Sequence, residues 1–297
     1  MKVMQKKLTF IISTKNNEDN LIKLLDSYIQ NSELLELTNM IIINDCSDYK
    51  YDLVLQKIKD FNNITYLQNS INKGKVRTFI DAKQYVKTNF VCLIDDKDCF
   101  INHDEWINVL KQMNILNYEI YCFYMCNSEL KIIGNKMNQI DTYHGFYIKK
   151  GLIGDHIFFI STKYYKNFKI PNEFQNRIIN NELFFLQDIF YTKYFVLTNT
   201  PLLIHDYKKG NITKNLIYHK INNYEVTFYV SDLVLKQKPC LKIRIINLFN
   251  LFLIRHNKKI FNFLTQKDKS LYYLLYLTFS FLVIKKLYLR KLNKITK

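Results

Sequence analysis

The sequence predicts an α/β fold in which a mostly parallel sheet carries helices on both faces. Its strand-like segments are continuous apolar runs rather than alternating ones, as expected for strands that are buried on both faces of a parallel sheet. Amphipathic segments separate these runs, and such alternation of strand and helix is typical of parallel sheets. The chain has only six glycines and three prolines in 297 residues, which excludes a linker-rich or disordered protein.

The elements of the first half follow one another in a regular order. LTFII (Leu8–Ile12) predicts a first buried strand, and NNEDNLIKLLDSYIQ predicts a helix with leucines at helical spacing and Asn or Asp near its start as N-cap. MIIIND (Met40–Asp45) predicts a second strand, and YDLVLQKIKDF a second helix. ITYLQN, VRTFIDAKQYV and FVCLID predict a third strand, a third helix and a fourth strand.

Polar residues end three of these strands, at residues 13–16, 44–47 and 95–98. Ligands of open α/β sheets bind beyond the carboxyl ends of the strands. We therefore expect a binding site at the sheet edge where these three strand ends meet.

The third of these ends, in VCLIDDKDCF, places three aspartates around one lysine. Neighbouring carboxylates raise each other's pKa unless a cation lies between them. A site for Mg or Mn, which prefer oxygen ligands, explains the pattern. A solvated turn, where aspartate is common, is the alternative.

Several motifs are absent, and this narrows the enzyme classes. The sequence has no GxxxxGK[ST], no GxGxxG after the first strand and no GxSxG. These absences argue against a P-loop ATPase, a dinucleotide dehydrogenase and an α/β-hydrolase. The six cysteines are scattered without a CxxC pair, which predicts a reducing cytosolic compartment, no disulfide framework and no zinc site.

The second half and the end of the chain differ from the first half. Residues 113–238 carry the strand-like segments EIYCFYMCN, HIFFIST, KYFVLTN and PLLIHDY among shorter helices. From Cys240 to Lys297, thirteen Lys and Arg stand against one acidic residue, so +12 of the net charge of +17 lies there. We therefore divide the chain at 112/113 and at 238/239.

The last segment, residues 239–297, is both basic and apolar. Its longest uncharged run, Leu271–Ile284, has fourteen residues, fewer than the about 20 that span a bilayer. Flanking basic residues suit the anionic headgroups of a cytoplasmic membrane surface, so we expect a basic amphipathic helical tail in that interface and no nucleic-acid partner. The alternatives are a tail that binds nucleic acid and a packed helical bundle with solvated lysines.

Five motifs in order resemble those of the family-2 glycosyltransferases of the GT-A fold. The family's P/T-x-Y-N turn is similar to residues 13–16, its Asp-Asp-x-Ser to residues 44–47, and its Asn-x-Gly or Gly-Gly-Lys loop to residues 72–75. Its Asp-x-Asp resembles Asp96-Lys97-Asp98, and its later GD…FP…E-x-F…E…Y…G-x-T pattern resembles residues 154–185 and 207–213. The resemblance covers roughly residues 8 to 215. It implies a Rossmann-like GT-A domain with a nucleotide-sugar half at 1–112 and an acceptor half at 113–238.

The chain departs from the family pattern at two positions, and its Asp-x-Asp frame is ambiguous. Lys15 replaces the tyrosine that stacks near the base, and Asn44 replaces the first aspartate of its pair. A frame that starts at Asp95 puts Lys97 on a ligand position, and a charged lysine cannot bind a hard cation. We therefore choose the frame Asp96-Lys97-Asp98.

The resemblance implies a divalent cation, Mn or Mg, held by Asp96 and Asp98. It also implies that the nucleotide is bound by Ser13, Lys15, Asp45, Lys75 and Asp96. Asp45 would accept a hydrogen bond from the edge of uracil, and Lys75 would pair with a phosphate. Without the resemblance, these residues have ordinary structural interpretations. Ser13 would cap a strand, Asp45 would be a turn residue, and both lysines would be solvated.

The resemblance further implies Glu182 as the general base that takes a proton from the acceptor hydroxyl. Burial against Phe184 and Phe185 would raise its pKa into a useful range. An ordinary glutamate in the first turn of a helix is the alternative. Glu173 and Asp188 are the reserve candidates.

Two further residues have less definite roles. Asp155 is expected to shape the acceptor site. His205 is able to approach the diphosphate on closure, although a structural histidine is the simpler interpretation.

The implied activity is inverting transfer of a sugar from a UDP-sugar to a hydroxyl of a bacterial surface glycan or lipid-linked acceptor. The enzyme would act in the cytoplasm, at the inner face of the cell membrane. One alternative is a nucleotidyltransferase, although STKNNED is a poor match to a triphosphate loop. The other is a non-enzymatic basic protein that associates with membrane or nucleic acid.

Overall fold

The structure, a computed structural model, describes residues 6–116, 118–135, 140–142, 147, 149–151, 154–175, 177–179, 194–205 and 223–253. The chain forms two compact units, Met1–Lys209 and Gly210–Lys297. The predicted boundary at 112/113 lies inside the first unit, and the one at 238/239 lies inside the second. Both boundaries stay predictions.

The described residues of the first unit form one sheet of nine strands. The strands are β1 Leu8–Thr14, β2 Thr38–Asn44, β3 Ile64–Gln68, β4 Phe90–Asp95, β5 Asp98–Phe100, β6 Ile120–Cys126, β7 Ile140–Thr142, β8 His156–Ser161 and β9 Tyr194–His205. The four strands predicted in the first half are confirmed as β1 to β4. The described residues of KYFVLTN and PLLIHDY belong to the single strand β9, Tyr194–His205, and β5 and β7 are strands that the sequence did not predict.

The helices in the described residues include all three that the sequence predicted in the first half. They are α1 Glu18–Ile29, α2 Ser32–Leu37, α3 Asp52–Ile58, α4 Lys75–Asp81, α5 His103–Leu116, α6 Thr162–Asn167, α7 Tyr224–Lys236 and α8 Leu241–Leu253. The predicted helices are α1, α3 and α4, the last continued by a 3₁₀ turn at Ala82–Tyr85. Within the described ranges, no helix is both long enough and apolar enough to cross a membrane.

The sheet is parallel in its first half and mixed in its second. Its order is β3-β2-β1-β4-β8-β6-β9-β5, with β7 paired to β9. The β1–β2, β2–β3 and β1–β4 pairs are parallel, as predicted, whereas β8 is antiparallel to both β4 and β6. Since β6 is in turn parallel to β9, the carboxyl ends of β1, β2, β4, β6 and β9 lie at one edge.

Helices pack on both faces of this sheet. Phe10 and Ile12 of β1 share a core with residues of α1 and α5, whereas strand alternation turns Ile11 to the opposite face, the side of α4.

Aromatic packing beneath the edge fixes the position of β9. The Trp106 ring of α5 is fully buried, 5.3 Å from the Phe10 ring and 5.5 Å from the Phe159 ring. Each aromatic pair of this kind adds about 0.5–1.5 kcal/mol beyond the area that it buries. The Trp106 indole also donates to the carbonyl of Leu202 at 2.9 Å, which ties α5 to the end of β9.

Candidate active site

The carboxyl edge of the sheet brings the polar strand ends together. Ser13 lies opposite Asp95 in the register of β1 and β4, and Thr14 lies opposite Asn44 in the register of β1 and β2. After β4 the chain makes a short turn, and β5 then pairs with β9 rather than with β4. The predicted meeting of strand ends at one edge is therefore confirmed.

The loops after β1 and β2 are joined by side-chain hydrogen bonds. Asn16 has a φ of 53°, a left-handed conformation that asparagine tolerates. Its side chain donates to Asp48 Oδ2 at 2.6 Å and accepts from Asp48 N at 2.8 Å. Its backbone N–H donates to Ser47 Oγ at 2.9 Å. The turn after β1 is thus held against the loop after β2.

The Tyr51 hydroxyl is the buried centre of the same contacts. Tyr51 is 1% exposed, and its hydroxyl accepts hydrogen bonds from Asn17 N at 2.7 Å and from Ser47 Oγ at 3.2 Å. It also lies 3.1 Å from Thr14 Oγ1. One phenol therefore satisfies polar groups from both loops.

Asp45, at the end of β2, holds the loop that precedes α4. Its Oδ1 accepts from Asn69 Nδ2 at 2.8 Å and from Lys73 N at 2.9 Å, and its Oδ2 accepts from Gly74 N at 2.8 Å. Gly74 has a φ of 79°, which favours glycine at this turn. The Asp45 carboxylate is 4% exposed, so these charge-assisted hydrogen bonds are shielded from water. We call Asn16, Asp45, Tyr51 and their partners the loop network.

A second group of side chains lies where β5 pairs with β9. Asp98 is directly opposite His205 in this register, and His205 Nδ1 lies 2.6 Å from Asp98 Oδ1. Asp98 Oδ2 accepts from the backbone N–H of Asp95 at 2.9 Å. One ligand atom from each of Asp95, Asp98 and His205 lies within 4.8 Å of the other two. We call these three residues the carboxylate–histidine cluster.

Burial and the contact between Asp98 and His205 act in opposite directions on the pKa of each residue. Burial raises the pKa of the Asp98 carboxyl to about 6, although the hydrogen bond from His205 acts in the opposite direction. Burial alone would lower the pKa of His205, but the hydrogen bond to Asp98 and its charge outweigh that effect, so the pKa of His205 is raised. Each group therefore stabilises the charged form of the other.

The two carboxylates that precede Asp98 have different partners. Desolvation would raise the pKa of Asp95, but its ion pair with the Lys75 ammonium lowers this pKa below its usual value. Desolvation raises the pKa of Asp96, against hydrogen bonds with the side chains of Thr14 and Asn17. The ion pair with Lys75 thus attaches Asp95 to the start of α4.

The remaining predicted residues are placed as follows. Ser13 is half-buried beside Asp95, whereas Lys15 is exposed. Glu173 is exposed in a 3₁₀ turn at Asn172–Phe174. Glu182 and Asp188 lie outside the described residues, so the position of the general base stays a prediction.

Asp155 lies near the carboxylate–histidine cluster. Desolvation raises the pKa of its half-buried carboxyl, and the charges of His205, Asp95 and Lys97 also act on this pKa. Its backbone carbonyl accepts from Met125 N at 3.1 Å, which fixes the start of β8 to the end of β6.

His205 is the member of the site that was hardest to predict from the sequence. It lies more than a hundred residues after Asp98, and their contact depends on the pairing of β5 with β9. The only local signal is a histidine at the end of an apolar run, PLLIH. Tyr51 was also missed, because a tyrosine ahead of a helix carries no motif.

The donor set of the cluster fits a divalent cation. Carboxylates suit Mg and Mn, and an imidazole adds a nitrogen that favours Mn over Mg. The ligand atoms are close enough for one ion to reach all three. Asp98 belongs to the predicted metal pair. Asp96 is not one of the three clustered residues, and its predicted role as a ligand stays untested.

Comparisons with known proteins agree with this geometry. The model of the family described as Glycosyl transferase family 2 matches residues 9–182, more than half of the chain. The "Uncharacterized glycosyltransferase MG025 homolog" of Mycoplasma pneumoniae is 32% identical over 95 residues. This match covers 31% of the present chain and 32% of the Mycoplasma protein, so it spans about a third of that relative.

Two solved structures share the fold. S. aureus TarS 1-349 in complex with UDP-GlcNAc superposes with a TM-score of 0.59 at 15% identity, over 83% of this chain and 72% of that one. The mannosyltransferase PcManGT from Pyrobaculum calidifontis, in complex with GDP-Man and Mn2+, gives 0.57 at 10% identity, over 95% and 81%. The family model matches more than half of the chain, and the α/β fold agrees with it: the chain belongs to glycosyltransferase family 2.

Proposed function

We propose that the enzyme is a metal-dependent, inverting glycosyltransferase that uses a nucleotide-sugar, preferentially a UDP-sugar. The observation that carries this proposal is the carboxylate–histidine cluster at the carboxyl edge of the sheet, beside the loop network. One related fold was solved with UDP-GlcNAc and another with GDP-Man and Mn2+, which supports a nucleotide-sugar donor and a divalent cation.

The metal would be held by Asp95, Asp98 and His205, with Asp96 as the further predicted ligand. When bound, the cation neutralises charge on the diphosphate leaving group. The pairing of Asp98 with His205 keeps the Asp98 carboxylate oriented within a buried setting.

The nucleotide would lie along the loop network. Asp45 keeps the backbone of Lys73 and Gly74 in a fixed turn, and its carboxylate retains acceptor capacity for an N–H at a base edge. Uracil offers such an N–H, and this is the reason for preferring UDP. Ser13 and Lys15 would line the same pocket, with Ser13 next to Asp95 in the sheet register.

Glu182 would act as the general base toward the acceptor hydroxyl. The described segment that ends at Ile179, three residues before Glu182, forms hydrogen bonds with α4. Arg77 donates to the carbonyls of Phe174 and Gln175, and Val76 N donates to the carbonyl of Ile179 at 2.9 Å. Ile179, three residues before Glu182, therefore lies against the start of α4, which supports this role.

A screen of nucleotide-sugars tests the donor and the metal together. The protein is heated with UDP-, GDP- or CDP-sugars, each with Mn2+ and with EDTA, and the melting temperature is measured. Ligands that bind the native state raise its stability with the logarithm of their concentration. We expect UDP-sugars to stabilise only in Mn2+. Equal stabilisation in EDTA would contradict the metal, and a larger shift with GDP-sugars would contradict the base preference.

We further propose that the acceptor is a surface glycan or lipid-linked glycan and that the tail, residues 239–297, binds the inner membrane surface from the cytoplasm. The formal charge of the tail supports this proposal. In the described part of the tail, α8 exposes Leu241, Lys242 and Ile246, and Leu241 is 64% exposed. Apolar and basic side chains on one helix are what an anionic lipid interface binds.

Vesicle sedimentation of the full chain tests the membrane proposal. Electrostatic attraction is worth about 1 kcal/mol per basic residue near an anionic surface and is screened by salt, whereas apolar insertion resists salt. We expect binding to anionic vesicles that high salt weakens only in part, and much weaker binding to neutral vesicles. Complete release by salt would leave a purely electrostatic tail and would favour nucleic acid as its partner.

A further inference from the structure

The Lys75 ammonium lies at the junction between the loop network and the carboxylate–histidine cluster. Lys75 is the first residue of α4, directly after Gly74, whose N–H is held by Asp45. Its ammonium forms an ion pair with Asp95 Oδ1 and lies 5.5 Å from the centre of the Phe79 ring. The nucleotide loop and the cluster are thus joined through one side chain.

Asp95 therefore has two competing cations. It contributes an oxygen to the group of ligand atoms that lie within 4.8 Å of one another, and its Oδ1 already contacts a positive charge. An ammonium and a divalent cation repel each other strongly at such distances in a partly desolvated site. A divalent cation can bind tightly to all three residues of the cluster only if Lys75 moves away from Asp95.

The diphosphate of a donor gives Lys75 another anion to bind. A nucleoside diphosphate brings several negative oxygens, and a lysine ammonium pairs with phosphate as readily as with carboxylate. The flexible four-carbon stem of Lys75 lets its ammonium move between neighbouring anions. Lys75 can therefore exchange its carboxylate for a phosphate while the metal takes Asp95.

We propose that Lys75 occupies the cation's place on Asp95 until a nucleoside diphosphate arrives, so that metal and donor bind cooperatively and the metal alone binds weakly. This role rests on the proposed metal-dependent function, and it makes Lys75 the residue that couples the two ligands. Because such coupling is reciprocal, the metal raises the affinity for the donor by the same factor as the donor raises the affinity for the metal.

Replacement of Lys75 by methionine separates this role from a general loss of charge. Mn2+ affinity is measured by calorimetry, first without nucleotide and then with saturating UDP. We expect Lys75→Met to bind Mn2+ alone about tenfold more tightly than the parent and to lose most of the increase that UDP gives the parent. The control is Lys111→Met, which removes a lysine of α5 that pairs with Glu33 at 2.7 Å. We expect the control to keep the parent's Mn2+ affinity and its coupling.

Melting temperatures separate the proposed exchange from an ion pair that only stabilises the fold. In EDTA, Lys75→Met leaves Asp95 beside Asp98 without the ammonium, so its melting temperature falls. Mn2+ should restore it, with a larger upward shift than in the parent or in Lys111→Met. If the variant is unfolded in EDTA, recovery by Mn2+ supports the exchange and failure to recover overturns it.

The exchange and the proposed function fail in different ways. If the parent binds no Mn2+ even with UDP, the metal-dependent function itself is wrong. If the parent binds Mn2+ with UDP but Lys75→Met binds Mn2+ alone no more tightly than the parent, the function stands and the exchange is overturned.

Discussion

The loop network and the carboxylate–histidine cluster lie at the same edge of one sheet, yet they are stabilised in different ways. In the loop network, Asp45 accepts three hydrogen bonds and Tyr51 contacts three partners, so donors and acceptors are matched within the protein. In the cluster, Asp95 and Asp98 are negative groups whose pKa values depend on Lys75 and His205.

This difference indicates that the two regions contribute to ligand binding in different ways. A network of matched hydrogen bonds is pre-formed, so binding there needs little rearrangement. Carboxylates that are held by exchangeable cations change their partners when a ligand with stronger charge arrives. Substitutions in the loop network should therefore lower UDP affinity by the same factor in Mn2+ and in Mg2+. Substitutions in the cluster should instead change the binding of the metal itself.

The largest expected effect is that of Asp98→Asn. Loss of a buried ligand removes the cation, and several kcal/mol of charge stabilisation correspond to a fall in transfer rate of up to about 10⁴-fold. Stabilisation of the protein by Mn2+ with UDP should vanish as well, as thermal shift would show. The matched control is Asp96→Asn, which we expect to retain part of the metal dependence. The opposite order of the two variants would mean that Asp96, rather than Asp98, is the principal ligand.

Glu182→Gln should have the next largest effect and should leave both regions of the site intact. A lost general base lowers the rate by about 10³-fold, because the acceptor proton no longer has a positioned carboxylate. The dissociation constant for UDP with Mn2+ should stay within about twofold of the parent value. Glu173→Gln, which alters an exposed glutamate of the same region, is the control. Undiminished transfer by Glu182→Gln would move the role to Asp188 or Glu173.

Asp45→Asn tests the loop network. The change weakens hydrogen bonds from two backbone N–H groups to a charged acceptor, and such bonds are worth about 1.5–3 kcal/mol. We expect UDP affinity to fall by about 10- to 100-fold, by the same factor in Mn2+ and in Mg2+. Asp81→Asn, which alters the partner of Lys73, is the control. An effect that depends on the identity of the metal would break the division between the two regions.

Tyr51→Phe should have the smallest effect on transfer and a measurable effect on folding. Removal of the hydroxyl leaves Asn17 N without this buried partner, at a cost of about 1–3 kcal/mol in the free energy of unfolding. Urea denaturation measures this change, and Tyr49→Phe, at an exposed neighbouring ring, is the control. If unfolding is unchanged but UDP binding is lost, the hydroxyl contacts the nucleotide rather than the loops.

Local patterns in the sequence were sufficient for most of the first half of the fold, although not for α2 or β5. Apolar runs of five to seven residues and leucines at helical spacing depend only on neighbours along the chain, and they gave β1 to β4, α1, α3 and α4. The strand-end motifs were found for the same reason. The parallel order followed because a helix between two strands brings both carboxyl ends to one edge.

Long-range pairing decided the rest of the site. The sequence alone determined that acidic residues follow β4 and that a family-2 glycosyltransferase pattern runs through the chain. Only the tertiary structure placed His205 against Asp98, because β5 pairs with β9, and the two residues are more than a hundred positions apart in the sequence. It also attached Asp95 to Lys75 at the start of α4. The choice between the two aspartates depends on which neighbour each carboxylate meets in space, and spacing along the chain carries no information about that.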